Sequence, residues 1–522
     1  MVAPIGRRGF VVGTAALSAG LWPLRPGHAA ATMDFDEARH LLSRTTFGAT
    51  PAEIRALEAQ DYAATVDRLL AGVRRDAITP PPGWLNEGPA ELRRQQQMAR
   101  AERAEAQKKQ GVDGKPLQAA QQPLQEQGRE LRNWWIEEML VTDQPLTERM
   151  VLFWHNHFTS SLQKVRFPPS LFRQNALFRR EALGNFATLL KEVARDPAML
   201  IYLDGMRSVA RQPNENFARE LLELFTLGEG HYSEADIKAA ARAFTGWTVD
   251  RETGHFRTRD NEHDGGEKTF LGQTGRFDGD AIIAILLKHP RTAETIVEKL
   301  WREFVSLKPD PAEVKRLAGS FRANYELRPL MRAILLSAQF RDPASRGALI
   351  KSPVELVVGT VHLLGLPVPE KTQLVRMMQG LGQMPFDPPN VKGWPGGESW
   401  ITTYTLLLRQ QFLRRIVEAT TVASMEGAMM SSPRNRRIER REQLPMKADE
   451  GTMQMAEPRP VEGRSLRYAG DEAKLGPTLS GVDSATLLRT LLPRAPIDTV
   501  DPSRTPGATV AAAMLDTAYQ LK

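Results

Sequence analysis

Apolar residues recur at helical spacing along almost the whole chain and strand-like alternation is scarce; this periodicity constrains the fold more than any other feature. A helix with one apolar stripe must bury it against a neighbour, and short connections favour antiparallel neighbours. The pattern predicts helices at Phe35–Leu42, Tyr62–Ala71, Leu131–Val141, Leu146–Phe158, Ser170–Ala182, Phe186–Val193, Asn216–Phe225, Glu234–Thr245, Gly279–Leu287, Thr292–Val305, Ala312–Phe321, Leu327–Leu336, Pro353–Leu364 and Trp400–Ile416. Thr50-Pro51-Ala52-Glu53 adds a helix start, with a capping hydroxyl, proline in the first turn and an acid behind it. The expected fold is all-α: a large multi-helix globular body with long polar insertions and little or no sheet. No fixed-period repeat is present, which disfavours a solenoid.

Three stretches depart from this pattern. Residues 1–31 carry Arg7-Arg8, a soft apolar run from Val11 to Leu21 and the small residues Ala29-Ala30-Ala31, which together read as a twin-arginine export signal cleaved after Ala29 or Ala31. The run is too short, and too broken by Gly20 and Pro23, to span a bilayer core of ~30 Å, so the expectation is a periplasmic or secreted protein with no transmembrane segment. Ala90–Arg132 is rich in Gln, Arg, Glu, Lys and Ala and reads as a polar helical insertion. Residues 425–477 lack sustained period and read as a disordered insertion. The body is then residues 32–424, with a C-terminal helical tail at 478–522.

The chain has no cysteine, so disulfides, Fe–S clusters, thiolate zinc sites and a cysteine nucleophile are excluded. Any metal would need His, Asp, Glu or Asn. The formal charge is +7, of which three positive charges, Arg7, Arg8 and Arg25, fall in the leader. Basic runs such as 434–441 contain acids and lack interleaved aromatics, which argues against nucleic acid as a partner. Phosphate-loop, dinucleotide-binding, nucleophile-elbow and His-Glu-x-x-His signatures are missing.

Five segments carry chemistry-bearing residues: Phe153-Trp154-His155-Asn156-His157-Phe158; Pro213 to Gly228; Ala243-Phe244-Thr245-Gly246-Trp247; His263 to Gly272; and Phe386 to Gly397. In this order, behind His40-Leu41-Leu42-Ser43-Arg44-Thr45-Thr46-Phe47-Gly48, they resemble the DUF1800 family of exported bacterial proteins, over roughly Asp34 to Phe412. The resemblance implies no defined activity. Members of that family are often encoded beside another exported family, DUF1501, which resembles alkaline-phosphatase-like hydrolases; the association implies a shared pathway, and a co-exported DUF1501-like protein is the candidate partner.

Read residue by residue, His155 and His157 are candidate metal ligands, although two helical steps place them about 200° apart. The other reading is buried histidines satisfied by the backbone. Asn216, Glu220 and Glu223 form a polar row beside the stripe of Phe217, Leu221, Leu224 and Phe225. That row suits a metal (Glu220, Glu223) or a hydroxylated ligand (Asn216), while Glu215–Arg219 and Arg219–Glu223 suit a solvated face. His263, Asp264 and Lys268 flank Gly265-Gly266, so a turn brings them together as a catalytic candidate. Asn390 and Trp394 lie in rigid Pro- and Gly-rich loop material and are candidate ligand contacts; Trp247 fits a core position better.

Two functions follow. One is a metal-assisted, hydrolase-like enzyme of the cell envelope, with a divalent cation activating water. The other is a non-enzymatic binding or assembly protein for an envelope polymer, a small molecule or the co-exported partner. They differ in whether His155 or His157, His263, Asp264 and Glu220 gather in one hollow.

Overall fold

The structure, a computed structural model, describes residues 32–86, 90, 94, 97, 98, 101, 122–365, 370–430, 478–498, 500 and 505–522. The leader, most of the Ala90–Arg132 insertion and residues 431–477 lie outside the described residues.

The helices in chain order are α1 (Phe35–Thr45), α2 (Pro51–Leu57), α3 (Tyr62–Ala71), α4 (Gln122–Val141), α5 (Pro145–His157), α6 (Leu162–Val165), α7 (Pro168–Arg180), α8 (Phe186–Ala194), α9 (Pro197–Tyr202), α10 (Glu215–Glu220), α11 (Glu234–Ala243), α12 (Gly279–Lys288), α13 (Pro290–Phe304), α14 (Pro311–Phe321), α15 (Leu327–Leu335), α16 (Ala338–Arg341), α17 (Pro353–Leu364), α18 (Lys371–Gly380), α19 (Thr403–Met430), α20 (Ser484–Leu491) and α21 (Pro506–Leu515). The protein is predominantly all-α. The sheet among the described residues is two small antiparallel hairpins, β1 (Trp247–Val249) with β2 (Phe256–Thr258) and β3 (Lys268–Phe270) with β4 (Gln273–Gly275). No described helix is long and apolar enough to cross a membrane.

Local signals explain where many helices start. Asp34, Thr50, Ser233 and Ser352 each close a capping box with the acid three residues on, satisfying amide groups that the first turn leaves unpaired. Proline opens α2, α5, α7, α9, α13, α14, α17 and α21 within their first two positions. The helix read from Leu131 begins earlier, at Gln122. Four were missed: α6 and α16 are four residues each, α9 is only six residues long, and the stripe of α18 is only Leu374, Val375 and Met378.

The centre of the body is α5. Leu146 to His155 are buried without a break, so the amphipathic expectation fails here and even its charges are interior. They are paired. Glu148 accepts from Arg179 Nε at 2.7 Å and Nη2 at 2.8 Å, and from Trp135 Nε1 at 2.8 Å. Arg149 pairs with Glu355 and, at 2.8 Å, with Glu303. Lys522 also reaches Glu355, and its backbone amide donates to Leu349 O at 2.8 Å. The C-terminal segment is therefore stitched into the middle of the fold, while α20 and α21 pack on each other and against α2 and α19 respectively.

Candidate functional site

The predicted site residues fall into two neighbourhoods. The first is built where α5 ends. His155 and His157 leave opposite sides of the helix, as a continuous α-helix through His157 requires. His155 is 1% exposed and boxed by aromatic rings, with centroids 5.4 Å from Trp135, 5.2 Å from Phe386 and 5.6 Å from Trp394. Its Nε2 has no hydrogen-bond partner among the described residues, and burial pushes its pKa down to about 3, so the ring is neutral.

His157 packs instead among Phe158, Phe186 and Phe225. Its Nδ1 accepts from Lys299 Nζ at 3.0 Å, and the same ammonium donates to Leu224 O at 2.7 Å. Burial, then the Lys299 charge, holds this histidine well below its ordinary value. Burial lowers Lys299 itself to about 8. An imidazole held this way is a poor ligand for a second cation.

The helix expected over Asn216–Phe225 is interrupted. After α10 the chain widens into a π-helical turn at Leu221–Thr226, which shifts Glu223 out of α-helical phase with Glu220. The carbonyls at the end of this turn are met from α13. Arg291 Nε donates to Leu227 O at 3.1 Å and Thr295 Oγ1 to the same oxygen at 3.2 Å, beside Lys299 on Leu224, an arrangement of cations that suits a helix C-terminus. Asn216 is used locally, donating from Nδ2 to Leu203 O at 3.2 Å. Burial and neighbouring Glu223 raise the Glu220 carboxyl above its usual range. Glu223 accepts from the Tyr232 hydroxyl at 2.9 Å and lies 3.6 Å from Lys392 Nζ.

The loop of residues 386–397 reaches this neighbourhood through its main chain. Trp394 N donates to Asn156 Oδ1 at 2.7 Å, and Asn390 folds the loop by accepting from Lys392 N at 2.9 Å. Gly393 has φ +81°, and a Cβ there would lie 2.7 Å from Asn156 O, so only glycine fits. Trp394 is 3% exposed. Its face is spent on the core and offers no stacking platform for a ligand.

The second neighbourhood is the loop after α11. Gly246, at φ +82°, turns the chain, and Trp247 is buried against Phe244 and Phe256. His263 Nδ1 donates to Thr245 O at 2.9 Å, and Asp264 N donates to Thr245 Oγ1 at 2.7 Å. The Asp264 carboxylate takes a fork from Arg242, at 2.6 Å from Nε and 3.2 Å from Nη2, and that partner foremost lowers it to about 2. Lys268 points inward from β3 with no exposed side-chain surface and donates to the carbonyls of Asp264 and Gly266.

His263, Asp264 and Lys268 do gather, as the Gly265-Gly266 turn implied. Asp264 and Lys268, however, hold the loop shut. His263 differs, because its Nδ1–H is fixed on a carbonyl while its Nε2 makes no hydrogen bond to any described residue. Among the described residues, no three His, Asp or Glu side chains gather as a ligand set for a metal ion.

Sequence reasoning missed Lys299, Arg242 and Tyr232. A lysine one helical turn beyond the buried Thr295 and Ile296 of α13 was a legible sign of the first; nothing local announced the other two.

No curated protein and no solved structure matches the chain. A family model described as "Protein of unknown function (DUF1800)" matches residues 40–515, which includes both neighbourhoods. The chain belongs to the DUF1800 family.

Proposed function

We propose that this protein is an exported binding or assembly protein of the cell envelope, carried out by the twin-arginine route and working beside a DUF1501-type partner. The observation that carries this reading is the prior engagement of the candidate catalytic groups. Asp264 is forked by Arg242, Lys268 is spent on two carbonyls, His157 accepts from an ammonium, and His155 is enclosed by aromatic rings. A hydrolytic centre needs at least one nucleophile or base free to reach a substrate. A second reading, a metal-assisted enzyme centred on His263, is favoured by the free Nε2 alone.

The test is metal analysis and thermal melting of full-length mature protein purified without an affinity tag, together with mixing against the co-encoded DUF1501-type protein. The expected result is metal well below one ion per chain, no cation that raises Tm, and a stable complex in size-exclusion chromatography. Near-stoichiometric metal that disappears in His263→Ala or His155→Ala overturns the proposal, because a ligand bound to the native state alone must stabilise it.

A further inference from the structure

A third region, used by neither neighbourhood above, is built around the opening motif. Arg39 and Ser43, one turn apart on α1, and Phe47 just past its end line a pocket that Lys351, Thr360 and Tyr519 close from the other side.

The polar groups here are not balanced. Arg39 is 5% exposed, and its guanidinium makes no hydrogen bond to any described residue. The Lys351 ammonium lies 3.8 Å from the centroid of the Tyr519 ring, and it too has no hydrogen-bond acceptor among the described residues. Behind them Arg44 is fully buried, with Nε and Nη1 unpartnered among the described residues. Glu355, the acid on the pocket wall, is already taken by Arg149, Lys522 and the Ser352 amide. A buried guanidinium such as Arg39 and a half-buried ammonium such as Lys351, both without acceptors, carry a desolvation cost that a bound anion would offset.

We propose that this pocket binds a small oxyanion, a carboxylate or a sulfate- or phosphate-type group, between the Arg39 guanidinium and the Lys351 ammonium. The Thr360 and Tyr519 hydroxyls, which share a hydrogen bond of 3.0 Å, have one proton left over to offer an anion. The apolar wall of Phe47, Leu363 and Leu491 accommodates a short hydrocarbon substituent on the same ligand. This inference is independent of the binding-protein reading, since an enzyme or an assembly factor could use such a site.

Proton linkage gives the site a signature. Burial, then neighbouring Arg39, lowers Lys351 to about 7. The charged groups facing it are Arg39 from α1, Glu355 from α17, Arg409 from α19 and Lys522. An anion favours the charged lysine, so binding weakens as pH rises through that value.

The experiment is calorimetric titration of the full chain with sodium sulfate and, separately, sodium butyrate, against sodium chloride at matched ionic strength. Sulfate keeps its charge across the range, so its pH dependence reports on the protein. The expected result is saturable binding of at least one of the two, tighter below pH 7 than above it, and weakened about tenfold or more by Lys351→Met and by Arg39→Met. Preference for sulfate or for butyrate tells a tetrahedral head group from a carboxylate. Ligand-free Lys351→Met is expected to melt no lower than the parent, which a purely structural lysine would not allow. No saturable binding by the parent, binding indifferent to pH, or binding unchanged in folded variants overturns the proposal. If the variants fail to fold, the parent's pH dependence decides.

Discussion

Asn156 clasps the backbone of Trp394: its Oδ1 accepts the Trp394 amide at 2.7 Å, joining the end of α5 to a loop nearly 240 residues later. This bond fixes the lid of the aromatic box around His155. Asn156→Ala leaves a buried amide unsatisfied and is expected to cost about 1–3 kcal/mol. Gly393→Ala, which drives a methyl against Asn156 O and forces a left-handed residue, is expected to cost more. Urea unfolding of both variants checks the order, and a milder Gly393→Ala would contradict the close approach.

Glu148 and Arg179 form a fully interior pair that also holds Trp135. Glu148→Gln strands a guanidinium in the core and is expected to cost about 3–5 kcal/mol, whereas the double variant Glu148→Leu/Arg179→Met recovers most of that loss. A double-mutant cycle in denaturant measures the coupling.

Acid should destabilise this protein through its buried histidines. His40 and His155 are lowered to about 2 and about 3, chiefly by burial, and His157 lies well below its usual value for the same reason. Each stays neutral when folded but takes up a proton when unfolded, so its contribution is present above pH ~6.5 and is lost as pH falls. The loss at pH 5 is at most about 2 kcal/mol per histidine. Asp196 opposes this, since burial raises its carboxyl to about 7 and the folded state keeps that proton where the unfolded state releases it. His155→Leu separates the two effects. Relative to the parent it should gain about 2 kcal/mol between pH 7.5 and pH 5, read from denaturant midpoints.

Gly359 and Phe47 bring α17 against the turn after α1, and a Cβ on Gly359 would stand 2.1 Å from Phe47 O. Gly359→Ala must push two backbones apart, so a loss of at least about 2 kcal/mol is expected. Thermal melting that shows Gly359→Ala near the parent would refute this packing.

Lys268→Met should loosen the loop from His263 to Phe270 without unfolding the body. Hydrogen exchange is expected to rise in that loop and to stay unchanged in α5. A spread of the effect across the core would mean that Lys268 does more than tie off two carbonyls.

Much of the helical architecture was legible because its signals are local. Capping acids, first-turn prolines and apolar stripes lie within a few residues of the elements they specify, as at Thr50-Pro51 and Ser352-Pro353. The angular separation of His155 and His157 followed from helix geometry alone. The π turn at Leu221–Thr226 did not, because it depends on carbonyl partners supplied by Arg291, Thr295 and Lys299, far along the chain. For the same reason the loop chemistry was only half visible. Gly265-Gly266 predicted that His263, Asp264 and Lys268 would meet, but not that Arg242 would claim the carboxylate.

Lys522 gives the order of synthesis a physical meaning. Arg149, Glu303 and Glu355 emerge from the ribosome long before the lysine that completes their cluster, and Leu349 waits as long for the amide that pairs with its carbonyl. Until then a partly translated chain carries an unfinished interior. Closure of the centre therefore depends on a contact that spans 167 positions of the chain, and no local segment can complete it alone.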